Sequence, residues 1–454
     1  MERLLFRKIE LWLVALIVLL MLLGAIFFAA SAATEAASRH SFEMRAKHSR
    51  FSELAFAVAS FPETLQRLLH REKPLAAGLY KRFGGRAGWH RYETKTPISG
   101  YLLLSRIDGD SLTAVSELID LADFSVKHRW TADPESLFAG AGRTAPLTDY
   151  SQWSRERFRP MHPLMLADGS LVLHGQTTPQ VKIDQCSRRV WMQQDTHYHH
   201  ALNLDAEGNF WAPAQIEPSA VSEEPTFKDD GLAEVSPEGK LLRLLSMAEI
   251  LDRHGLTYLV FQSNNFQQDP LHLNDIQPVL TDGPYWKKDD LFISLRNRSL
   301  VLLYRPSADA IIWMKQGPWL GQHDVDIIDD HTIAVFNNNV RNTGGGSFVD
   351  GNSDLRFYDF ATGKVSSPYA AAVAKADLQA ETNGLFDFTD SGHLIVEEDT
   401  SGRLLIFAPD HQLAADFINI AKDGVAYRMG WSRYVDRATG DAALAAMAAE
   451  PPCP

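Results

Sequence analysis

Three histidines in this sequence begin short apolar segments, and their side chains are the groups best suited to chemistry. His200 begins "HALNLDAEGNFW", His272 begins "HLNDIQPV" and His323 begins "HDVDIIDDHTIAVFNN". Neutral imidazole is both a nucleophile and a proton carrier near pH 7. If the three segments are equivalent strands of one repeat, the three imidazoles meet in space.

Two other polar residues lie near these histidines in sequence. Asn274 follows His272 by two residues, so both side chains lie on the same side of a strand. Arg296 directly follows the apolar run "FISL", and its guanidinium group matches a tetrahedral oxyanion with two parallel hydrogen bonds. Together they indicate an anion-binding site with imidazoles. We identify no facing carboxylate pair of the kind that glycoside hydrolysis needs.

A single histidine at a strand end is more often a surface or capping residue than a catalytic one. His162, which precedes a proline, is interpreted as structural, and His197, His331 and His393 fall near turns. His199 adjoins His200 and points to the opposite side of the strand. The turn register favours His200 as the member of the site, with His199 as its alternative.

The histidine segments belong to a repeat of short strands. Each begins with a strand of six or seven residues, turns and returns as a second strand, and outer strands end at Trp130, Trp191 and Trp313. About six such units of four strands predict an all-β fold, a six-bladed β-propeller. A jelly roll or sandwich is the alternative, but six repeats are too many for one. First strands of a propeller enter the axis from one face, which predicts a ring of residues at one mouth: His162, His200, His272, His323 and the Asn383–Gly384 pair.

The N-terminal segment indicates export. Arg3, Arg7 and Lys8 precede 23 uncharged residues, Leu11 to Ala33, which is long enough to cross a bilayer with the N-terminus in the cytoplasm. Cleavage after "ASA" (residues 30–32) is the competing interpretation. We favour an uncleaved signal-anchor in the inner membrane with the rest of the chain in the periplasm.

The remaining domain boundaries follow from the change along the sequence from a helical pattern to short apolar runs separated by turns. Residues 1–33 are predicted to be the cytoplasmic tip and transmembrane segment, and 34–97 a helical stalk or linker. Residues 98–440 are predicted to be the propeller, and 441–454 a C-terminal tail. The net charge of −13 argues against nucleic acid as the main partner. Cys186 and Cys453 can form one disulfide or remain two thiols, and the sequence leaves both open.

The segments "LHLNDIQPV", "DDLFISLRN" and "GQHDVDIIDDHTIAVFNNN", preceded by "HYHHALNLDAEGNFW", resemble the bacterial arylsulfotransferases that use no nucleotide sulfate donor. The resemblance covers about residues 98–434. It implies a periplasmic six-bladed propeller without a cofactor or bound metal. It also implies transfer of a sulfuryl group from an aryl sulfate donor to a phenolic acceptor through a sulfohistidine.

The resemblance also assigns roles residue by residue. His323 matches the histidine that attacks sulfur, and His272 and Asn274 match the motif that contacts the sulfuryl oxygens and assists proton transfer. Arg296 matches the sulfate-binding arginine, and His200 the remaining active-site histidine. Candidates for stacking on the phenol ring are Tyr198, Tyr285, Trp286 and Trp319.

Two other functions remain as alternatives. Three histidines on converging strands can bind Zn²⁺ in a propeller lyase or hydrolase, although Arg296 beside a divalent ion is unfavourable. A non-catalytic, membrane-anchored propeller that serves as a receptor or assembly platform is the second alternative, because fold alone does not specify function. The oligomeric state is not indicated by the sequence.

Overall fold

The computed structural model describes residues 12, 14, 16, 18–24, 77–78, 81–261, 266–342 and 347–453. The chain divides into two units, residues 1–73 and 74–454. In the first unit, residues 18–24 are helical, and no helix within the described residues is long and apolar enough to cross a membrane. The charged N-terminal tip, most of the predicted anchor, the "ASA" segment and most of the predicted stalk lie outside the described residues.

Most of the regular secondary structure described in the second unit is β-strand. In chain order they begin with β1 Ala77–Gly78, β2 Gly88–Arg91, β3 Tyr101–Asp108, β4 Thr113–Asp120, β5 Ser125–Ala132, β6 Met161–Met165, β7 Leu171–His174, β8 Thr178–Ile183, β9 Arg189–Tyr198 and β10 Asn203–Leu204. The next are β11 Phe210–Ile216, β12 Asp229–Val235, β13 Leu241–Ser246, β14 Leu273–Pro278, β15 Leu291–Leu295, β16 Leu300–Arg305, β17 Ala310–Gln316, β18 Val325–Ile327, β19 Thr332–Asn337 and β20 Val340–Asn342. The last are β21 Ser347–Val349, β22 Asp354–Asp359, β23 Lys364–Ser366, β24 Leu385–Phe388, β25 Leu394–Glu398, β26 Arg403–Phe407, β27 Leu413–Ile418, β28 Ala426–Tyr427 and β29 Arg433–Val435.

Helices are few in this unit, and they lie outside the sheets. The α-helices are α1 Pro134–Leu137, α2 Met247–Arg253, α3 Ala370–Lys375 and α4 Arg437–Ala449. Single 3₁₀ turns occupy Lys81–Phe83, Tyr150–Trp153, Thr257–Leu259, Arg296–Arg298 and Pro306–Ala308.

The strands form antiparallel sheets in an all-β, propeller-like fold. Four sheets contain four or five strands, in the orders β29-β3-β4-β5, β14-β15-β16-β17, β18-β19-β22-β23 and β2-β27-β26-β25-β24. An eight-stranded sheet follows the path β13-β12-β11-β9-β8-β7-β6, with β10 paired to β11. Two-stranded pairs, β1-β28 and β20-β21, complete the set.

The predicted count of six separate blades is therefore wrong. Two of the predicted repeats are joined into the eight-stranded sheet because the end of β9 pairs on both sides. Tyr198 is opposite Thr178 of β8 and also opposite Ala214 of β11. β9 has ten residues and extends past its pairing with β8 to reach β11. The spacing of repeats in the sequence does not show how long an individual strand will be.

The predicted boundaries at both ends of the propeller also change. Gly88–Arg91 was expected to belong to the stalk, but it pairs with Ala415–Ile418 as the outer strand of a sheet. At the other end, α4 runs across the expected boundary between residues 440 and 441. The reason is packing, because Ala443 and Met447 of this helix are buried in the core of the sheet β29-β3-β4-β5.

The sheets are held together by apolar side chains on their facing surfaces. Phe292, Val301 and Leu303 of one sheet share a buried cluster with Val325 and Val335 of the next. Their strands read as almost continuous apolar runs because both faces are covered, whereas β17 is an outer strand with alternating exposure. Each fully buried aliphatic side chain contributes roughly 1.5–3 kcal/mol relative to an exposed one.

Inner strands of neighbouring sheets are also linked by aspartate side chains. A carboxylate at or beside one inner strand accepts a backbone N–H from the inner strand of the next sheet. The pairs are Asp275 with Val325 at 2.9 Å, Asp324 with Phe386 at 2.9 Å and Asp387 with Tyr434 at 2.8 Å. These links fix the relative height of the inner strands, and hence of the residues that precede them.

The C-terminal end of the chain is tied to the body of the unit. The last strand, β29, pairs with β3, with Arg433 opposite Leu103 and Val435 opposite Tyr101. Beyond α4, Cys453 forms a disulfide with Cys186, which is 267 residues earlier in the sequence. Of the two alternatives for these cysteines, the structure has the disulfide.

Candidate functional site

Three of the predicted histidines and the predicted arginine line one cavity of about 260 Å³. The ring of His200 lies 5.2 Å from that of His272 and 6.0 Å from that of His323, measured between centroids. The side chains lining the cavity are those of Ile107, Gln152, Arg157, Arg159, Gln176, His200, His272, Arg296, His323, Thr382, Asn383 and Arg428. The predicted histidines and Arg296, far apart in sequence, therefore lie together.

Five residues at or just before the starts of inner strands share an unusual backbone conformation, and three of them, His200, His272 and Asn383, line the cavity. His162, His200, His272, Asn383 and Trp431 all have left-handed φ values, between 47° and 61°. Among residues other than glycine, His, Asn and Asp are enriched in this conformation. It costs on the order of 1–3 kcal/mol and is typical of functional sites. The turn reverses the direction of each side chain at the start of the strand.

His323 is held as a neutral imidazole with a defined tautomer. Its Nδ1 lies 2.7 Å from Oδ1 of Asn338, and its Nε2 accepts the backbone N–H of Asn383 at 3.1 Å. Nδ2 of Asn338 donates to the carbonyls of Ala380 and Asn383, so Oδ1 must face the histidine. The proton therefore lies on Nδ1 and the lone pair on Nε2. Burial, followed by the charge of Arg296, holds the pKa of His323 well below its usual value.

Asn338 was not predicted as a site residue, although it lies in the quoted segment that begins at His323. Asp324 adjoins His323 in sequence, but its carboxylate accepts the N–H of Phe386 and makes no hydrogen bond with the imidazole. Strand alternation turns Asp324 away from the cavity, toward the inter-sheet links. An asparagine fifteen residues later takes the orienting position because the β18–β19 hairpin folds it back beside His323.

His272 has a carboxylate partner that the sequence did not suggest. Its Nδ1 lies 2.7 Å from Oδ2 of Asp269, three residues earlier. Burial acts to raise the pKa of Asp269, but the hydrogen bond from His272 and nearby positive charge outweigh it and hold the pKa at about 2. An ionised carboxylate beside Nδ1 holds the ring in a fixed orientation, as in a catalytic triad. His272 is thus the imidazole best placed to carry a proton.

His200 and its alternative, His199, are in contact. Their Nδ1 atoms are 2.8 Å apart, so one of the two must donate to the other. Nε2 of His199 lies 3.5 Å from Oδ1 of Asp230. Burial first, and then the neighbouring His199, lowers the pKa of His200 well below its usual value. His200 lines the main cavity, and both histidines line an adjoining cavity of about 210 Å³ that also contains His272 and Asp269.

Arg296 and Asn274 occupy different environments. The backbone N–H of Arg296 donates to the carbonyl of His272, and its side-chain Nε is buried without a hydrogen-bond partner among the described residues. Burial lowers its pKa from the usual value for arginine. Asn274 is fully buried, and its Nδ2 donates to the carbonyl of Gln322 at 2.9 Å, behind the strand of His323 rather than among the residues that line the cavity.

The aromatic residue nearest the imidazoles is Trp431, which the sequence analysis did not single out. Its ring lies 5.8 Å from that of His200 and 6.0 Å from that of His323. The aromatic residues proposed for stacking on a phenol lie elsewhere. Tyr198 donates to Gln193, Trp286 and Trp319 are buried in the apolar cluster of Phe292, and Tyr285 packs on Phe360.

Two other features of the described residues do not coincide with this site. A larger recess of about 970 Å³ is lined by residues such as Asp195, His197 and Gln215, and it contains none of the imidazoles of the cavity. Three potential metal-ligand atoms lie within 4.8 Å of one another only at Asp329, Asp330 and His331, on an exposed turn in the described part of the chain.

Fold and site together define a propeller-like protein with a cationic, histidine-rich cavity at the ends of its inner strands. Residues 162–419, more than half of the chain, match the family model described as "Arylsulfotransferase (ASST)". The chain belongs to the arylsulfotransferase family. No curated protein sequence matches it.

Similar solved structures have low sequence identity. A protein of unknown function from Bacteroides caccae is 8% identical with a TM-score of 0.47, over 74% of this chain and 99% of that one. Virginiamycin B lyase from Staphylococcus aureus is 10% identical with a TM-score of 0.33, over 57% and 70% of the two chains. Hydrazine synthase from Kuenenia stuttgartiensis is 10% identical with a TM-score of 0.37, over 75% and 89%.

Proposed function

We propose that this protein transfers a sulfuryl group from an aryl sulfate to a phenolic acceptor, through a sulfohistidine at His323. The observation that carries the proposal is the state of His323 in its cavity. Its hydrogen bonds leave the Nε2 lone pair unprotonated, and its lowered pKa keeps the imidazole neutral. A neutral nitrogen nucleophile beside an arginine suits attack on an anionic sulfate ester.

In the first half-reaction, His323 gives up the hydrogen bond that its Nε2 accepts from the backbone N–H of Asn383. The freed Nε2 lone pair attacks sulfur, and the bond from sulfur to the aryl oxygen breaks. The electron pair of that bond leaves on the phenolate, which takes a proton from the imidazolium of His272. As the new N–S bond forms, the Nδ1 proton remains shared with Asn338, which spreads the developing positive charge. Arg296 donates to the peripheral sulfuryl oxygens, where charge accumulates in a loose transition state.

In the second half-reaction, the acceptor phenol replaces the first product. His272, now neutral, takes the phenolic proton, and the phenol oxygen attacks sulfur while the N–S bond breaks. His200 and His272 line both the main cavity and the adjoining cavity of about 210 Å³. The adjoining cavity offers the acceptor an approach to the same proton carrier, and Asp269 holds that carrier in position.

We further propose that the domain works in the periplasm, held at the inner membrane by residues 11–33. The disulfide between Cys186 and Cys453 supports an oxidising compartment, because such bonds persist there and are rare in the cytosol. The proposed role of Asn274 is to hold the strand of His323 through the carbonyl of Gln322.

The test combines turnover with mass measurement. Full-length protein is incubated with 4-nitrophenyl sulfate, with and without phenol, and nitrophenolate release is recorded. Intact mass after brief exposure to the donor alone is expected to show one sulfuryl adduct, mapped to His323. The His323→Ala variant should lose both the adduct and turnover.

The matched control is His162→Ala. His162 is also buried with a left-handed backbone, but it packs near Trp431 and does not line the cavity. This variant should retain the adduct and turnover. Absence of any adduct with a range of aryl sulfates, or an adduct that persists in His323→Ala, would refute the proposed function.

A further inference from the structure

The cavity contains more positive charge than one sulfate ester needs. Four arginines line it: Arg157, Arg159, Arg296 and Arg428. Arg157 lies 3.8 Å from the carboxylate of Asp149. Among the described residues, no carboxylate lies within 4.0 Å of Arg296. The guanidinium group of Arg296 therefore lines the cavity without a carboxylate partner in the described part of the chain.

The second excess charge comes from an arginine pair. Arg159 and Arg428 share a single carboxylate, that of the fully buried Asp399. The charge of Arg428 helps to lower the pKa of Arg159 to about 10, after the larger effect of burial. A second buried carboxyl group, Glu397, also acts on Arg159, but burial and then the charge of Asp399 raise the pKa of Glu397 to about 7. Near neutral pH, Glu397 is therefore only partly ionised and the two guanidinium groups keep an excess of positive charge, which is costly away from water.

Unsatisfied hydrogen-bond donors accompany the unmatched charges. Nε of Arg428 and Nε of Arg296 are both buried without a hydrogen-bond partner among the described residues. Charge-assisted hydrogen bonds to an anion are about twice as strong as neutral ones. Nε of Arg428 faces Oδ1 of Asp399 at 3.4 Å, and the side chain of Arg428 makes no hydrogen bond among the described residues. Two separate arginines that line the cavity thus have unused hydrogen-bonding capacity.

The two positive centres are linked to different neighbours of His323. Arg296 donates its backbone N–H to His272, and its charge lowers the pKa of both His200 and His323. The arginine pair lies on the side of Asn383, whose backbone N–H reaches His323 and whose Nδ2 donates to Asp399. A molecule that carries its sulfate at His323 and Arg296 can direct its other end toward Arg159 and Arg428.

We propose that Arg159 and Arg428 bind a second anionic group on the sulfate donor, so that the preferred donors are aryl sulfates bearing a carboxylate on the ring. A sulfate monoester carries one negative charge, which Arg296 matches. The substituent supplies the second. This inference rests on the proposed function, because it places the sulfuryl group at His323.

Arg428 is the residue to change. Its side chain is partly exposed and makes no hydrogen bond through Nε, so its loss leaves the fold intact. Arg159 is buried and donates to Asp399 and to the carbonyl of Met429, so its loss would leave a buried carboxylate unpaired. Arg155→Gln is the matched control, because Arg155 pairs with Asp133 and does not line the cavity.

The experiment compares 4-carboxyphenyl sulfate with its methyl ester as donors, with phenol as the acceptor. Wild-type protein is expected to prefer the carboxylate donor in kcat/KM, and Arg428→Gln should lower the carboxylate-to-ester ratio roughly 10-fold to 100-fold. Arg155→Gln should leave the ratio unchanged. A wild-type ratio near one, or an equal ratio in Arg428→Gln and wild type, overturns the inference while sulfuryl transfer stands.

Binding without turnover separates the two proposals. In His323→Ala protein, calorimetric titration should show tighter binding of the carboxylate donor than of the ester, and the difference should disappear when Arg428→Gln is added. If neither donor is turned over by wild type, the proposed function fails, and the titration still decides whether a second anion is bound. Equal affinities in the titration overturn the inference.

Discussion

Replacing Asn338 with alanine should lower the rate of sulfuryl transfer while leaving substrate binding almost unchanged. Asn338 accepts the Nδ1 proton of His323 at 2.7 Å, and its own Nδ2 is anchored on the carbonyls of Ala380 and Asn383. It is fully buried and does not line the cavity. Its effect on the reaction is therefore expected to act through His323, directly by the tautomer and also through Asn383, which Asn338 anchors and whose N–H reaches Nε2.

The magnitude follows from the two hydrogen bonds of His323. Asn338 and the backbone N–H of Asn383 both require the proton on Nδ1, and each contributes about 1 kcal/mol net, which together favour that tautomer roughly 30-fold. Alanine removes one bond and leaves the Nδ1–H buried without an acceptor, a penalty of about 1–3 kcal/mol. We therefore expect kcat to fall roughly 10-fold to 100-fold, with KM within about 2-fold.

The assay is the burst of nitrophenolate from 4-nitrophenyl sulfate, which reports the first half-reaction. Asn337→Ala is the matched control because Asn337 is equally buried, donates to Asp354 and accepts the N–H of Leu320. It should cost similar stability, measured by urea unfolding, but retain the burst rate. If Asn338→Ala slows the burst no more than Asn337→Ala does, the tautomer reasoning is refuted.

Three other predictions follow from described contacts. Arg296→Gln removes a charge that, after burial, lowers the pKa of His323, so the acid limb of the rate profile should move to higher pH; an unmoved limb would contradict this electrostatic coupling. Serine at both Cys186 and Cys453 should lower the free energy of unfolding by roughly 3–5 kcal/mol, and an unchanged urea midpoint would show that the cross-link does not stabilise the fold. Burial raises the pKa of Asp387 to about 6, so the folded state binds the extra proton and wild type should lose stability relative to Asp387→Asn as pH rises from 4.5 to 7. The expected loss is on the order of 2 kcal/mol in urea titrations, and a pH-independent difference between the two proteins would count against it.

The convergence of His200, His272 and His323 could be predicted because it depends on repeat register, and Arg296 could be placed near them because it directly follows a strand, β15. Equivalent positions before inner strands meet at one mouth, whatever the loops between them do. The alternation of strand side chains likewise separates His199 from His200, although the two rings remain in contact.

Asn338, Asp269 and Trp431 could not be predicted in the same way. Asn338 reaches His323 only after a hairpin folds back, and Asp269 reaches His272 across a turn with no strand periodicity. Trp431 lies two residues before the last inner strand, β29, far from the histidines in sequence. Such partners depend on backbone turns and on long-range pairing, and neither has a clear pattern in the sequence.

The positive charge of the cavity could not be predicted from the sequence either. Arg159 and Arg428 are 269 positions apart, and only the fold brings both to Asp399. The overall charge of −13 gives no indication of a cationic cavity, because a local field depends on which few charges are left unmatched.

The left-handed turn before the inner strands limits what chemistry this mouth can acquire during evolution. Valine, isoleucine and threonine are excluded there by their branched Cβ atoms, and most other side chains are disfavoured. Trp431 adopts this conformation despite the strain, but histidine and asparagine hold the three such positions that line the cavity, His200, His272 and Asn383. His323 lies outside this group, because its φ is not positive. The backbone therefore favours imidazole beside the nucleophile, where a proton carrier is needed, and leaves the position of the nucleophile itself free of that constraint.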